Sequence, residues 1–73
     1  MGNSKEYEFY LAALDNNNSL FGRRRAIRRL SKCGTEEALY YMNELVVDRY
    51  CLLPDWTRRI AREYYVCLCL EFL

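Results

Sequence analysis

Residues 19–53 decide the fold: SLFGRRRAIRRLSKC (19–33), then Gly34, then TEEALYYMNELVVDRYCLL (35–53). Leu20, Ala26, Ile27, Leu30 and Cys33 fall within one arc of a helical wheel, which predicts an amphipathic helix over 20–32. Arg24, Arg25, Arg28, Arg29 and Lys32 fill the opposite arc. Arg23 falls on the apolar side, so its stem must lie along apolar surface while its guanidinium reaches water or a carboxylate. Ser19 is the N-cap of this helix, and Gly34 ends it because glycine takes positive φ without a Cβ penalty. Thr35 caps the next helix and places Glu36 and Glu37 in its first turn, where the helix dipole favours negative charge. Its inward stripe is Ala38, Leu39, Met42, Leu45, Val46, Leu52 and Leu53, and Pro54 is expected to stop it. Tyr40, Asn43, Glu44, Val47 and Cys51 occupy another face. Two helices joined at one glycine form an αα-hairpin.

The flanks extend the same pattern. Ser4 caps a first helix over 4–14, with Tyr7, Tyr10, Leu11 and Leu14 at helical spacing. Asp15, Asn16, Asn17 and Asn18 break it, because these side chains bond their own backbone and favour a tight polar loop. Asp55 is expected to cap a fourth helix whose apolar stripe is Trp56, Ile60, Tyr64, Cys67 and Leu68. Beyond Tyr64 the run YYVCLCLEFL (64–73) is apolar nearly all round, which suits either a core element or a contact surface. The fold class is therefore all-α: about four antiparallel helices in a single small domain over residues 1–73.

Composition narrows the function. At 73 residues the chain buries a modest share of its surface and is marginal without disulfides, a metal or self-association. Eleven Lys and Arg against ten Asp and Glu give a net charge of +1, so only local clusters can attract a charged partner. One proline and three glycines favour long helices. Cys33, Cys51, Cys67 and Cys69 are expected to be reduced, because MGNSKEYEFY lacks the apolar core of a signal peptide. A cytoplasmic location is the expectation. Met1-Gly2 resembles a myristoylation start, but Glu6 stands where Ser or Thr is needed. No apolar run approaches the roughly 20 residues of a membrane span.

Catalysis is not expected. The chain has no histidine, which removes the commonest general base and zinc ligand. It has no Cys-x-x-Cys pair, and Gly2, Gly22 and Gly34 form no phosphate loop. No cofactor and no metal are expected.

Offset by 34, the sequence aligns with itself at eight identities, among them Tyr7 with Tyr41, Arg24 with Arg58, Arg28 with Arg62 and Cys33 with Cys67. The run RRAIRRLSKCGTEEALYYMNELV (24–46) resembles a short HEAT-like helical repeat. Arg and Ala stand early in its first helix, at Arg23 or Arg24 and at Ala26. Leu30, the Gly34 turn and an E-x-A-L opening at Glu36, Glu37, Ala38 and Leu39 follow. DRYCLLPDWTRRIA (48–61) resembles the junction into a next repeat. The likeness covers roughly residues 9 to 65, about two repeats. It departs from the family where Asn16-Asn17-Asn18 replaces the usual Asp-Pro junction and in its short period.

The resemblance implies a protein-interaction or adaptor module whose second helices line a partner groove, here Tyr40, Asn43, Glu44, Val47 and Cys51. The Arg-rich face, with Arg58, Arg59 and Arg62 as a second patch, is expected to orient an acidic protein partner. Arg24, Arg25, Arg28, Arg29, Tyr40, Glu44, Val47, Arg58 and Arg62 are the candidate partner-binding residues. Two repeats leave apolar ends open, so self-association is expected through Tyr65, Cys69, Leu70, Phe72 and Leu73. The alternative for the same arginines is a nucleic-acid backbone, which arginine binds bidentately, with tyrosines stacking on bases. A third reading of those cations is a solvated face paired with neighbouring carboxylates.

Overall fold

The computed structural model describes residues 4–73, so the Met1-Gly2 start lies outside the described residues. Four helices run through it: α1 (Lys5–Leu14), α2 (Leu20–Lys32), α3 (Glu36–Val47) and α4 (Asp55–Leu70), with no strand among the described residues. Ser4, Ser19 and Thr35 cap the first three as expected. Each hydroxyl accepts the N–H three residues on, from Tyr7, Gly22 and Ala38 at 3.2, 3.0 and 3.1 Å. Gly34 has φ +64, the left-handed backbone that turns the chain between α2 and α3.

The chain pairs α1 with α2 and α3 with α4 most extensively. α1 then lies against α3 and α2 against α4, while α2 and α3 meet least and the backbones of α1 and α4 do not come within 8 Å (Cα to Cα) among the described residues. The result is a compact all-helical bundle of two layers, α1/α3 and α2/α4. Ala13, Ile27, Leu30, Ala38, Met42, Leu45 and Ala61 are fully buried at its centre, with Leu68 beside them. The hairpin at Gly34 is thus the least packed join in the bundle, although its sequence pattern is the plainest.

Polar side chains tie the layers together. Thr35, while capping α3, donates to Oε2 of the buried Glu6 in α1 at 2.8 Å. Ser4, while capping α1, donates to Glu37 in the first turn of α3. Each N-cap hydroxyl therefore serves a carboxylate on the neighbouring helix, and both carboxylates sit where the helix dipole favours them. Arg23 is buried, with Nε donating to the Asp15 carbonyl and Nη2 to Asn16 Oδ1, both at 2.8 Å. A cation thus meets the carbonyl end of α1, the arrangement the macrodipole favours. Gly22 leaves room for Asn18, whose amide donates to the Ala12 carbonyl; a Cβ at Gly22 would collide with Asn18 Oδ1.

Several expectations give way here. α3 ends at Val47, not at Pro54. Asp48 takes φ 45, and its carboxylate accepts the N–H groups of Leu52 and Leu53 at 2.9 and 3.1 Å. These bonds hold a loop where the apolar pattern suggested more helix, because aspartate tolerates the left-handed region and can serve backbone donors. Leu52 consequently points outward while Leu53 is buried. Cys51 lies in this loop with φ 53 instead of on the face of α3. Pro54, with fixed φ and extended ψ, takes the N-cap position of α4, so Asp55 is its first helical residue and pairs with Arg58. The inward side of α4 is Thr57, Ala61 and Leu68, flanked by half-buried Ile60 and Tyr64, while Cys67 faces out. Leu11 and Leu20 are also exposed.

The internal match at 34 lies between the offsets that relate the helices themselves. The capping residues of α1 and α3 put Lys5 opposite Glu36, an offset of 31, and the starts of α2 and α4 put Leu20 opposite Asp55, an offset of 35. Tyr7 and Tyr41, aligned by the offset of 34, are contacting neighbours with ring centroids 5.7 Å apart.

Candidate partner-binding surfaces

The first surface is the outer side of α2. Arg24, Arg25, Arg28, Arg29 and Lys32 are all exposed, as the helical wheel required. The salt bridges among the described residues are Arg49–Glu44, Arg58–Asp48 and Arg58–Asp55, so none of the five α2 cations is paired there. The face is solvated but not neutralised by its neighbours. Phe21 stands among these arginines with 79% of its surface exposed. The sequence reading passed over it, yet Phe21, Arg25, Arg28 and Lys32 share one face at helical spacing. Phe21, Arg24, Arg25, Arg28 and Tyr64 of α4 enclose an open groove of about 260 Å³. An adjoining groove of about 410 Å³ is lined by Arg24, Ile60, Glu63, Tyr64 and Cys67.

The second arginine patch is divided. Arg59 and Arg62 are exposed and unpaired. Arg58 is committed to Asp55 and reaches Asp48 Oδ2 at 3.9 Å. The hydrogen bond to Asp55 holds its guanidinium pKa above the ordinary range. It closes the start of α4 onto the Asp48 loop, a structural duty. Glu63 and Ile60, not arginines, border the α2 side of α4, so the two patches do not fuse there into one basic stripe.

The opposite layer carries the tyrosines. Tyr10 and Tyr41 stack at 4.9 Å, and Tyr40 meets Tyr41 edge-on at 5.2 Å. With Glu44, Arg49 and Tyr50 these three rings line a groove of about 310 Å³. Tyr40 and Val47 are more than half exposed, Asn43 and Glu44 are half-buried, and Arg49 holds Glu44 at 3.1 Å. Burial, then the Glu44 carboxylate, raises the Tyr10 phenol above its usual range. Partial burial, then Glu37, does the same for Tyr41. Tyr50, 77% exposed in the loop after α3, also escaped the sequence reading, because it belongs to no periodic face.

At the C-terminal end, Leu70, Phe72 and Leu73 are exposed, and Val66 joins them. Tyr65 packs against the core and Cys69 is half-buried, so both sit at the edge of this patch.

All four cysteines are free thiols. No cluster of three or more metal-ligating side chains occurs among the described residues. No helix there is long and apolar enough to cross a membrane. Comparison with protein-family models, with curated proteins and with solved structures finds no match.

Proposed function

We propose that the chain is a small, non-catalytic interaction module of the HEAT-like type that binds an acidic protein partner and also binds itself. The observation that carries this reading is the set of exposed, unpaired cations on α2 surrounding an exposed Phe21. A solvated charge without an internal partner adds nothing to the fold, whereas it steers association and fixes register on an oppositely charged surface. An aromatic ring amid arginines adds apolar area where binding energy concentrates. The layered order, α1 beside α3 and α2 beside α4, is what stacked helical hairpins of the HEAT-like kind would give. On that reading the tyrosine face of α1 and α3 is the second-helix groove, and Leu70, Phe72 and Leu73 are an open end of the stack.

A nucleic-acid reading draws on one observation of its own: Phe21 and Tyr64 flank Arg24, Arg25 and Arg28, so phosphate contacts and base stacking are available together. Glu63, in the adjoining groove, repels phosphate and carboxylate alike and does not choose between the two. Fluorescence anisotropy with labelled polyglutamate, mixed-sequence DNA and mixed-sequence RNA at two salt concentrations decides between them. Binding to polyglutamate that is lost in Arg24→Glu/Arg28→Glu supports the protein reading. Tight, steeply salt-dependent binding to nucleic acid alone makes the second reading the correct one. No binding to any probe at low salt refutes both.

A further inference from the structure

The two layers of the bundle are oppositely charged. α1 and α3 contain five carboxylates and one lysine, while α2 and α4 contain nine arginines and lysines and two carboxylates. The chain's net charge of +1 conceals this separation. Glu6 is turned inward to Thr35, but Glu36 and Glu37 are exposed and Glu44 borders the tyrosine groove. On the far side, the outward α2 cations form no ion pair among the described residues.

We infer that the α1/α3 face of one copy seats the α2 face of a second copy, head to tail. The inference rests on α2 being a docking surface for an acidic protein, and it names that protein as the chain itself. The chemistry of the two faces matches. Guanidinium groups sit favourably over tyrosine rings and form bidentate pairs with carboxylates. Tyr40 and the stacked Tyr10–Tyr41 pair present such rings, with Glu36, Glu37 and Glu44 around them. Arg49, which holds Glu44 within one chain, shows that an arginine can reach this groove. Size is consistent as well. A specific interface takes about 800 Å² from each partner, so in a molecule of 33 × 31 × 22 Å it occupies a whole face. Two such faces, one acidic and one basic, are what these layers provide. Because the contacting surfaces differ, the pairing is not self-closing: each copy keeps one face free, and assembly grows with concentration.

Sedimentation velocity on the wild-type chain and two variants tests this. Arg24→Glu/Arg28→Glu ruins the basic face, and Glu36→Gln/Glu44→Gln neutralises the acidic one without offering the new glutamates a cation. The wild type should show weight-average mass rising with concentration at low salt, with association at least about tenfold weaker at high salt. Each variant alone should be monomeric, with its helicity confirmed by circular dichroism. Their equimolar mixture should form a heterodimer and stop there, since one sound interface remains. If the second variant does not fold, Tyr40→Ser replaces it and should weaken self-association of the otherwise wild-type chain. A monomeric wild type at low salt overturns the inference, as does a mixture that fails to pair. Variants that still associate place the contact elsewhere, such as the Leu70–Leu73 end, and overturn it too. A monomeric wild type that still binds polyglutamate refutes the self-pairing but keeps the docking reading; one that binds neither refutes both.

Discussion

Replacing Arg23 by alanine should destabilise the fold more than any other change at a basic residue of α2. Arg23 is 5% exposed and bonds the Asp15 carbonyl and Asn16 Oδ1, each at 2.8 Å. Hydrogen bonds from a charged group contribute about 1.5–3 kcal/mol each, and the cation at the α1 C-terminus adds roughly 0.3–1 kcal/mol. Against this stands the cost of desolvating a guanidinium, which disappears with it. The two acceptors also lie on exposed residues, where water can replace the lost donors. Losing the buried stem removes packing as well. The net loss is about 3 kcal/mol for Arg23→Ala and about 1–2 kcal/mol for Arg23→Lys, which keeps a charge but not the fork. A chain of 73 residues has a total stability of roughly 4–11 kcal/mol, so the alanine variant loses a large fraction of it. At about 4–8 °C per kcal/mol, its Tm should fall by roughly 12–24 °C. Thermal and urea unfolding followed by circular dichroism measure this, with Arg25→Ala as the exposed control, expected within about 0.5 kcal/mol of wild type. Equal stabilities for Arg23→Ala and Arg25→Ala would refute the claim that Arg23 locks α1 to α2.

Thr57 is fully buried and its hydroxyl has no partner among the described residues, so Thr57→Val should raise stability by about 1 kcal/mol; a lower Tm would show that the hydroxyl is satisfied. Asp48→Ala strips the Leu52 and Leu53 N–H groups of their acceptor and should cost about 2–3 kcal/mol in urea titrations, with faster exchange of those two amides. Gly34→Ala should cost about 1 kcal/mol through its φ of +64 alone, because the added Cβ would meet Glu71 Oε2 at an ordinary 3.7 Å; Gly34→Asn should recover part of the loss. Tyr10 and Tyr41 ionise above the ordinary phenol value of 10.0 when folded. Their contribution to stability is therefore intact below that value and is lost as pH rises through the higher folded one. Phenolate absorbance should show late-titrating tyrosines, diminished in Tyr10→Phe, and a single uniform step for all seven would contradict this.

Much of the bundle was legible in the chain. Helix count, three N-caps, the Gly34 turn and the outward arginine arc of α2 follow from local rules, because each depends on residues within a turn or two. The failures share a cause. Leu52 and Leu53 fit the apolar period of α3, but Asp48 is placed where its carboxylate serves their backbone, and those bonds overrule the period. Cys67 fits an apolar stripe on α4, but packing of α2 and α3 against α4 rotates the buried face onto Thr57 and Ala61. Tyr7 and Tyr41 match in sequence, yet they touch because α1 and α3 lie side by side.

By itself, the sequence determined the all-α class, the element order and which side of α2 is charged, since helical periodicity and capping act over a few residues. Only the tertiary structure decided that α1 would lie beside α3 and α2 beside α4. That arrangement gathers carboxylates and tyrosines from 31 positions apart onto one face and leaves the arginines on the other. Composition averages such a separation to +1, because the charge of a chain is a sum, whereas the field a partner meets depends on where each charge is held.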